Sequence, residues 1–215
     1  MNQKLDNLKN YVFEMDDEHC FIEREHFLNS IPDTEERPVD YYAIIFSRLL
    51  GSVSVPVDEH DIFVGRIVED APDFDTPCPN TLLCSAGHMT PDYGRLLKSG
   101  YAGILAQIKK NTLKIDTEEA YIYAKNAEIV VYAIRYFAQR YAQAAKKAGN
   151  LKAYQALSHV PFEPAYDLYS ALQGIWLVHM IASGYVGARD YGFGYMDEYL
   201  YPYYLHEKEK GTTDD

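Results

Sequence analysis

The chain has 215 residues, of which 47% are hydrophobic and 24% are charged, and its formal net charge at pH 7 is −12. This length and hydrophobic content allow one large domain or two small ones with a real core, and they argue against a disordered chain. The acidic balance argues against a nucleic-acid-binding protein, which needs a basic face for the phosphates, and against a protein that binds an anionic membrane surface.

The chain has three cysteines, Cys20, Cys78 and Cys84, and their spacing is not that of a zinc site. An odd, small number of cysteines argues against a disulfide scaffold and favours a reducing compartment. No apolar run approaches the roughly 20 residues that a membrane span needs, and the N-terminal segment lacks the basic-then-apolar pattern of a signal peptide. We therefore predict a cytoplasmic protein.

The first part of the chain combines a polar arm with one helix and an irregular segment. Residues 1–37 are polar and charge-rich, which predicts a peripheral arm of short helices. Pro38 at the first helical position and Gly51 just beyond the end predict a helix over "PVDYYAIIFSRLLG". Residues 52–89 are rich in β-branched residues, Pro, Gly and Asp, which predicts loops and short strands. The best strand candidate is "IFVGRIV", at residues 62–68.

A second helix is predicted over "TPDYGRLLKSGYAGILAQIKKN". Thr90 is its predicted N-cap, and Pro91 is its predicted first residue. Gly100 and Gly103 either weaken the middle of this helix or permit a close approach there.

The third predicted helix is the clearest. Asp116 or Thr117 caps it, acidic residues fill its first turn, and Gly149 marks its end. Apolar residues recur along it at helical spacing and predict one buried stripe, formed by Ile122, Ile129, Ala133, Phe137, Tyr141, Ala144 and Ala148.

A fourth helix is predicted from Pro164 to Gly184, where Gly184 is its C-cap. Its apolar residues occur on most faces, so we expect it to be covered on several sides. Residues 184–204 carry seven tyrosines in a strand-like, irregular pattern. The predicted fold class is mainly α with a few short β-strands.

The polar chemistry is concentrated in "CPNTLLCSAGHMTPDY", at residues 78–93. Asn80, Cys84 and His88 are spaced by four, and His88 precedes the start of the second helix, whose free N–H groups attract anions or polarised oxygens. Alternatively, Asn80 and His88 only tie loops together, and Cys84 is a small buried hydrophobe. The sequence has no phosphate-binding Gly-Lys-Ser/Thr loop, no His-Glu-x-x-His pair and no Gly-x-Ser-x-Gly elbow.

Four blocks occur in a specific order: "IFVGRIV", "SAGHMTPDYGRLLKSGYAGI", "EPAYDLYSALQGIWLVH" and "GYMDEYLYPYY". Together they resemble the N-terminal part of the pyruvate formate-lyase-like glycyl radical enzymes, over about Tyr41 to His206. In that family the last block reads Gly-Arg-x-Asp-Gln-Tyr-Leu-Tyr-Pro-Tyr-Tyr. This chain departs from it at Tyr195, in place of Arg, and at Glu198, in place of Gln. The motif residues that carry the resemblance are Gly87, Gly194, Asp197, Tyr199, Tyr201 and Pro202.

The resemblance implies the N-terminal part of the glycyl radical α/β barrel fold. It also implies a formate C-acetyltransferase-like or diol dehydratase-like enzyme of anaerobic metabolism. Dehydratases of the family place an Asn and a His near the substrate hydroxyls, eight residues apart, and Asn80 and His88 match that spacing. Full-length members carry a glycyl radical, installed by a radical-SAM activase, and a mid-chain thiyl cysteine. None of the three cysteines here has that setting, and "ASGYVG" around Gly184 lacks the Arg-Val pair that precedes the radical glycine. We expect no bound cofactor and no metal site.

These implications lead to a prediction of a fragment that is inactive by itself. Its parts are an arm at residues 1–37, a partial domain at 38–205 and a polar tail at 206–215. Its expected partner is the rest of the glycyl radical enzyme or a homologous subunit, and the uncovered aromatic block is expected to favour self-association. The alternative is a non-catalytic helical interaction module that docks on a full-length relative.

Overall fold

A computed structural model of the chain describes residues 3, 6, 18–32, 37–65, 88–186 and 191–211. This part is helical, and no β-strand occurs in it, whereas the sequence predicted a few short strands. Its elements are α1 (Glu18–Asn29), α2 (Tyr41–Ser52), α3 (Tyr93–Thr112), α4 (Glu118–Lys147), α5 (Leu151–Leu157), α6 (Leu168–Met180), a π-helical turn (Ile181–Tyr185) and α7 (Met196–Glu209).

The long helix α4 is the centre of the fold, and it packs against α2, α3 and α5. Thr117 is its N-cap, because the Thr117 hydroxyl accepts a hydrogen bond from the Ala120 N–H at 3.3 Å. This contact decides between the two predicted caps, Asp116 and Thr117. A capping side chain satisfies one of the backbone donors that a helix start leaves without a partner.

The buried residues of α4 include three that the helical spacing predicted, Ala133, Phe137 and Tyr141. The other four predicted positions, Ile122, Ile129, Ala144 and Ala148, remain partly exposed. The reason is that neighbouring helices cover α4 on more than one side, so burial spreads to both flanks of the predicted stripe. The additional buried residues are Ala124, Val131, Ile134, Ala138, Ala142 and Ala145.

Helix α3 begins at Tyr93, and its N-cap is Asp92 rather than the predicted Thr90. The Asp92 side chain accepts a hydrogen bond from the Arg95 N–H at 2.9 Å. A carboxylate is as good a cap as a threonine hydroxyl and also complements the positive end of the helix dipole.

Helix α3 is interrupted at Gly100, which has φ 59° and ψ 172°. The break lets a neighbouring segment bond to the α3 backbone: the Tyr101 N–H donates to the Pro161 carbonyl at 3.0 Å and the Ala102 N–H to the Phe162 carbonyl at 2.9 Å. The sequence left open whether Gly100 weakens the helix or permits a close approach. The structure shows a close approach, since a side chain at this position would overlap the backbone of residues 162 and 163.

Helix α6 begins at Leu168 with a capping box formed by Asp167 and Ser170, so it starts later than the predicted Pro164. It then continues into the π-helical turn through Tyr185. Gly184 lies inside that turn, and the prediction that it is a helix C-cap is wrong. The buried Arg24 of α1 donates from Nε to the Tyr185 carbonyl at 3.1 Å, so the N-terminal arm supports the end of this helix.

The described part of the predicted strand at residues 62–68 is irregular, and side chains of α6 bind it instead of a neighbouring strand. The buried Gln173 amide accepts from the Val64 N–H at 2.8 Å and donates to the Val64 carbonyl at 2.9 Å. Trp176 donates from Nε1 to the Gly65 carbonyl at 2.9 Å. These contacts satisfy backbone groups that a sheet would otherwise pair.

Residues 196–209 form helix α7, although the sequence predicted an irregular, strand-like segment there. The alternation of tyrosines suggested a strand, but Tyr199 and Tyr203 are also spaced by four and lie on one face of a helix. Both pack, with Leu200, on a second hydrophobic core that α3 and α6 form. The helix also crosses the predicted boundary at residue 205, since it extends to Glu209.

Candidate active-site region

Two of the sequence blocks that are far apart along the chain lie against each other in the structure. The Gly192 N–H donates a hydrogen bond to the Met89 carbonyl at 3.1 Å. Gly194 has φ 67°, and a Cβ there would lie 2.8 Å from Cγ2 of Thr90. This contact requires glycine for both its backbone conformation and its lack of a side chain. The structure therefore joins the His88 block to the Gly194 block at the start of α3.

His88 stands at the edge of this contact. It is exposed and has φ 55°, which is uncommon for a residue other than glycine. Non-glycine residues in this region of backbone space are concentrated at turns and functional sites. The other two predicted residues of this block, Asn80 and Gly87, lie outside the described residues.

The buried Tyr93 and the half-buried His179 form a pair beneath the same contact. The Tyr93 Oη and the His179 Nδ1 are 3.3 Å apart, and the His179 ring lies 4.4 Å from that of Phe193. Burial lowers the pKa of His179 below its usual value, so its imidazole is neutral at pH 7. Burial, and then the nearby phenol of Tyr199, raise the pKa of Tyr93, which therefore stays protonated.

The motif residues of α7 divide between an inner and an outer face. Tyr199 packs on Tyr93 and donates to the Phe193 carbonyl at 2.7 Å, which holds the turn that ends at Gly194. Tyr201, Pro202 and Asp197 are exposed, and Tyr201 stacks on Tyr204 at 6.3 Å. Helix α7 has no buried residue, so its outer aromatic face has no cover within the described chain.

Tyr195, the residue that departs from the family block, is 76% exposed. It therefore does not fill an aromatic core in the described part of the chain. Its position directly before α7 is the N-cap position, and its side chain makes no capping hydrogen bond.

Sequence reasoning missed Tyr93 and His179. A signal was present for His179, because it is the single ionisable residue within the apolar run "GIWLVHM". An ionisable residue in such a run needs a partner when it is buried. No comparable signal marked Tyr93, since tyrosines are abundant throughout this chain.

Within the ranges that the structure describes, no group of three or more His, Cys, Asp or Glu side chains is arranged to hold a metal ion. In those same ranges, none of the helices combines the length and the apolar character that crossing a membrane requires.

Comparison with known proteins gives a consistent family. Two curated relatives are isethionate sulfite-lyases, one from Desulfovibrio desulfuricans that is 28% identical over 56% of this chain, and one from Bilophila wadsworthia that is 26% identical over 58%. In both cases the match spans 17% of the relative, so this chain corresponds to a portion of a larger enzyme.

Solved glycyl radical enzymes share the fold at low sequence identity. An enzyme from Archaeoglobus fulgidus superposes with a TM-score of 0.73 at 16% identity, over 90% of this chain and 36% of that one. A Roseburia inulinivorans protein of 1,2-propanediol dehydration superposes with a TM-score of 0.72 at 16% identity, over 92% of this chain and 36% of that one. The glycerol-bound, B12-independent glycerol dehydratase of Clostridium butyricum superposes with a TM-score of 0.66 at 17% identity, over 87% of this chain and 36% of that one.

The family described as pyruvate formate lyase-like matches residues 81–215, which include the His88 block, the Tyr93–His179 pair and α7. This match covers more than half of the chain, and it confirms the resemblance drawn from the four sequence blocks. The chain belongs to the pyruvate formate lyase-like family.

Proposed function

We propose that this chain is the substrate-side helical scaffold of a glycyl radical lyase or dehydratase, and that it is inactive alone. The observation that carries the proposal is the contact between the His88 loop and the Gly192–Gly194 turn at the start of α3. This contact places the loop that carries the exposed His88 next to the turn whose Phe193 ring covers the half-buried His179. Such a place suits the binding of a small polar molecule, because a few fixed polar groups stand next to apolar walls.

The proposed substrate class is a small compound with a hydroxyl group. Two of the fold neighbours carry names that refer to 1,2-propanediol and glycerol, and the sequence relatives are isethionate sulfite-lyases. In this proposal His88 and Asn80 contact the substrate hydroxyls, as the family resemblance implies. A hydroxyl oxygen is a good acceptor for an imidazole N–H, and a hydroxyl hydrogen is a good donor to an amide oxygen.

The radical chemistry is proposed to reside elsewhere in the larger enzyme. Gly184 is the single glycine here that resembles the radical-bearing motif, but it lies in a π-helical turn and is only partly buried. A glycyl radical needs shielding from water and oxygen, so this setting does not fit it. The glycyl radical of full-length members, and the radical-SAM activase that installs it, therefore belong to the proposed partner and not to this chain.

Anaerobic incubation of this chain with an activase and S-adenosylmethionine is expected to produce no glycyl radical doublet in electron paramagnetic resonance. A full-length relative treated in the same way is the positive control. A doublet that disappears in Gly184→Ala would contradict the proposal, because it would place the radical on this chain. In the full-length relative, the equivalent of His88→Ala is expected to lower kcat/KM by about tenfold to a hundredfold, as loss of one substrate hydrogen bond implies.

The outer face of α7 is the proposed contact with the rest of the enzyme or with a homologous subunit. Three large side chains of this face are exposed, Tyr201, Tyr204 and Leu205. Stacked aromatic rings beside a leucine form the kind of patch that protein interfaces cover.

The isolated chain is expected to self-associate through this face. The double variant Tyr201→Ser, Leu205→Ser should weaken self-association by about tenfold or more, because less apolar area is buried. Sedimentation equilibrium measures the effect, and Tyr132→Ser, at an exposed position on α4, is the matched control. A wild-type chain that stays monomeric at high concentration and binds no hydrophobic dye would contradict this prediction.

A second candidate function is a non-catalytic helical module that docks on a full-length relative. The same exposed face of α7 favours it. The two functions differ in ligand binding: the substrate scaffold requires that His88 binds a small hydroxyl compound, whereas a docking module does not.

A further inference from the structure

In the described part of the chain, one ring nitrogen of His179 is bound by a buried group and the other has no hydrogen-bond partner. Its Nδ1 lies 3.3 Å from the Tyr93 hydroxyl. Among the described residues no group hydrogen-bonds to Nε2, and Nε2 is not one of the buried side-chain atoms that lack a partner. The imidazole is only half-buried, so this nitrogen is open to solvent or to a ligand.

The Tyr93 hydroxyl determines which ring nitrogen carries the proton. Tyr93 is 1% exposed, and a buried phenol of this kind remains protonated and needs an acceptor. The nearest acceptor given by the geometry is His179 Nδ1. If the phenol donates to Nδ1, the hydrogen of the neutral imidazole is on Nε2, which makes Nε2 a donor.

The groups that surround Tyr93 and His179 do not compete with the hydrogen bond from the phenol to Nδ1. The titratable groups that influence Tyr93 are the phenols of Tyr199, Tyr101 and Tyr191, and no carboxylate or cation is among them. Burial is what shifts the pKa of His179, and no neighbouring charge contributes to that shift. The imidazole ring also lies against Phe193, which limits its rotation.

The open edge of His179 belongs to the same neighbourhood as the His88 loop. Phe193, which covers the His179 ring, lies between Gly192 and Gly194, and both of these glycines contact the segment that follows His88. Among the described residues, the His179 ring is hydrogen-bonded through Nδ1 alone.

We propose that His179 donates a hydrogen bond from Nε2 to a hydroxyl oxygen of a small-molecule ligand, and that Tyr93 is the positioning residue that sets this tautomer. The inference rests on the proposed function, because it takes the ligand class from there. It adds a second ligand contact, on α6, to the one proposed for His88. The two histidines would hold one ligand from the loop side and from the helix side.

Long-range ¹H–¹⁵N spectra of the ¹⁵N-labelled full chain test the proposal, with the His179 signals assigned through His179→Gln. In the wild type we expect the proton on Nε2. In Tyr93→Phe we expect a mixture of the two tautomers, because the donor to Nδ1 is lost. Tyr101→Phe is the matched control, since it removes a buried phenol of the same core and should leave the tautomer unchanged.

Titration with propane-1,2-diol or glycerol tests the ligand contact in the same spectra. We expect the His179 Nε2–H signal to shift saturably with ligand concentration. In Tyr93→Phe the affinity for the ligand, read from the same titration, should fall at least fivefold. A proton on Nδ1 in the wild type would overturn the inference. If the His88 signals respond and those of His179 do not, the inference is overturned and the proposed function stands. If only the His179 signals respond, the inference is supported and the proposed role of His88 is contradicted. No response of either histidine would overturn both.

Discussion

Gly100→Ala is expected to destabilise the chain by about 3 kcal/mol or more. Gly100 has φ 59° and ψ 172°, a conformation that a residue with a Cβ adopts only under strain. An added Cβ would overlap the Phe162 carbonyl oxygen and lie 2.6 Å from the carbonyl carbon of Glu163. Relief of that overlap would break the backbone hydrogen bonds that join the α3 break to residues 161 and 162. Urea denaturation followed by circular dichroism measures the change.

Gly51→Ala is the control for this variant, and we expect the opposite sign. Gly51 lies in the last turn of α2, and a Cβ there would meet no atom within 4 Å. Alanine at such a position should stabilise the chain by about 0.5–1 kcal/mol, because it lowers the backbone entropy that folding removes. Equal stability of the two variants would contradict the role assigned to Gly100.

Phe137→Ala is expected to cost about 3–5 kcal/mol, the range measured when a buried aromatic ring is removed from a core. Phe137 is fully buried in the middle of α4, and it meets Tyr141 and Tyr185 edge to face at ring distances of 5.0 and 5.5 Å. Because Tyr185 ends the π-helical turn, loss of this ring would also weaken the packing of that turn.

Tyr136→Ala, one position earlier on the same helix, is the matched control. Tyr136 is 55% exposed, so its truncation should change the free energy of unfolding by no more than about 0.5 kcal/mol. Both variants keep the helix propensity of α4 or improve it, since alanine replaces an aromatic residue in each. A cost for Phe137→Ala as small as that of Tyr136→Ala would show that α4 is not the centre of the core.

The arrangement of the site explains why the chain is proposed to act as one part of a larger enzyme. The histidines lie where α3 begins and α6 ends, and the Gly192–Gly194 turn links them. On the other side, α7 turns an aromatic face away from this core. The scaffold thus holds polar groups in place and offers a surface that the partner is proposed to cover.

The sequence by itself determined the helices with strong periodicity and clear ends. Asp116 or Thr117, followed by two glutamates, marked the start of α4, and the apolar spacing placed Phe137 and Tyr141 inside, because both signals depend on residues close together in the chain. The four ordered blocks were sufficient to identify the family, which the match over residues 81–215 confirms.

Tertiary contacts decided the features that local patterns left ambiguous. The tyrosine-rich segment became a helix because Tyr199 and Tyr203 find a core between α3 and α6, and no spacing along the chain reveals that core. Val64 and Gly65 of the candidate strand have backbone carbonyls bound by Gln173 and Trp176, which lie more than 100 residues away in sequence. The Tyr93–His179 pair is of the same kind, because its partners are 86 residues apart in sequence and only the packing of α6 on α3 brings the phenol to the imidazole.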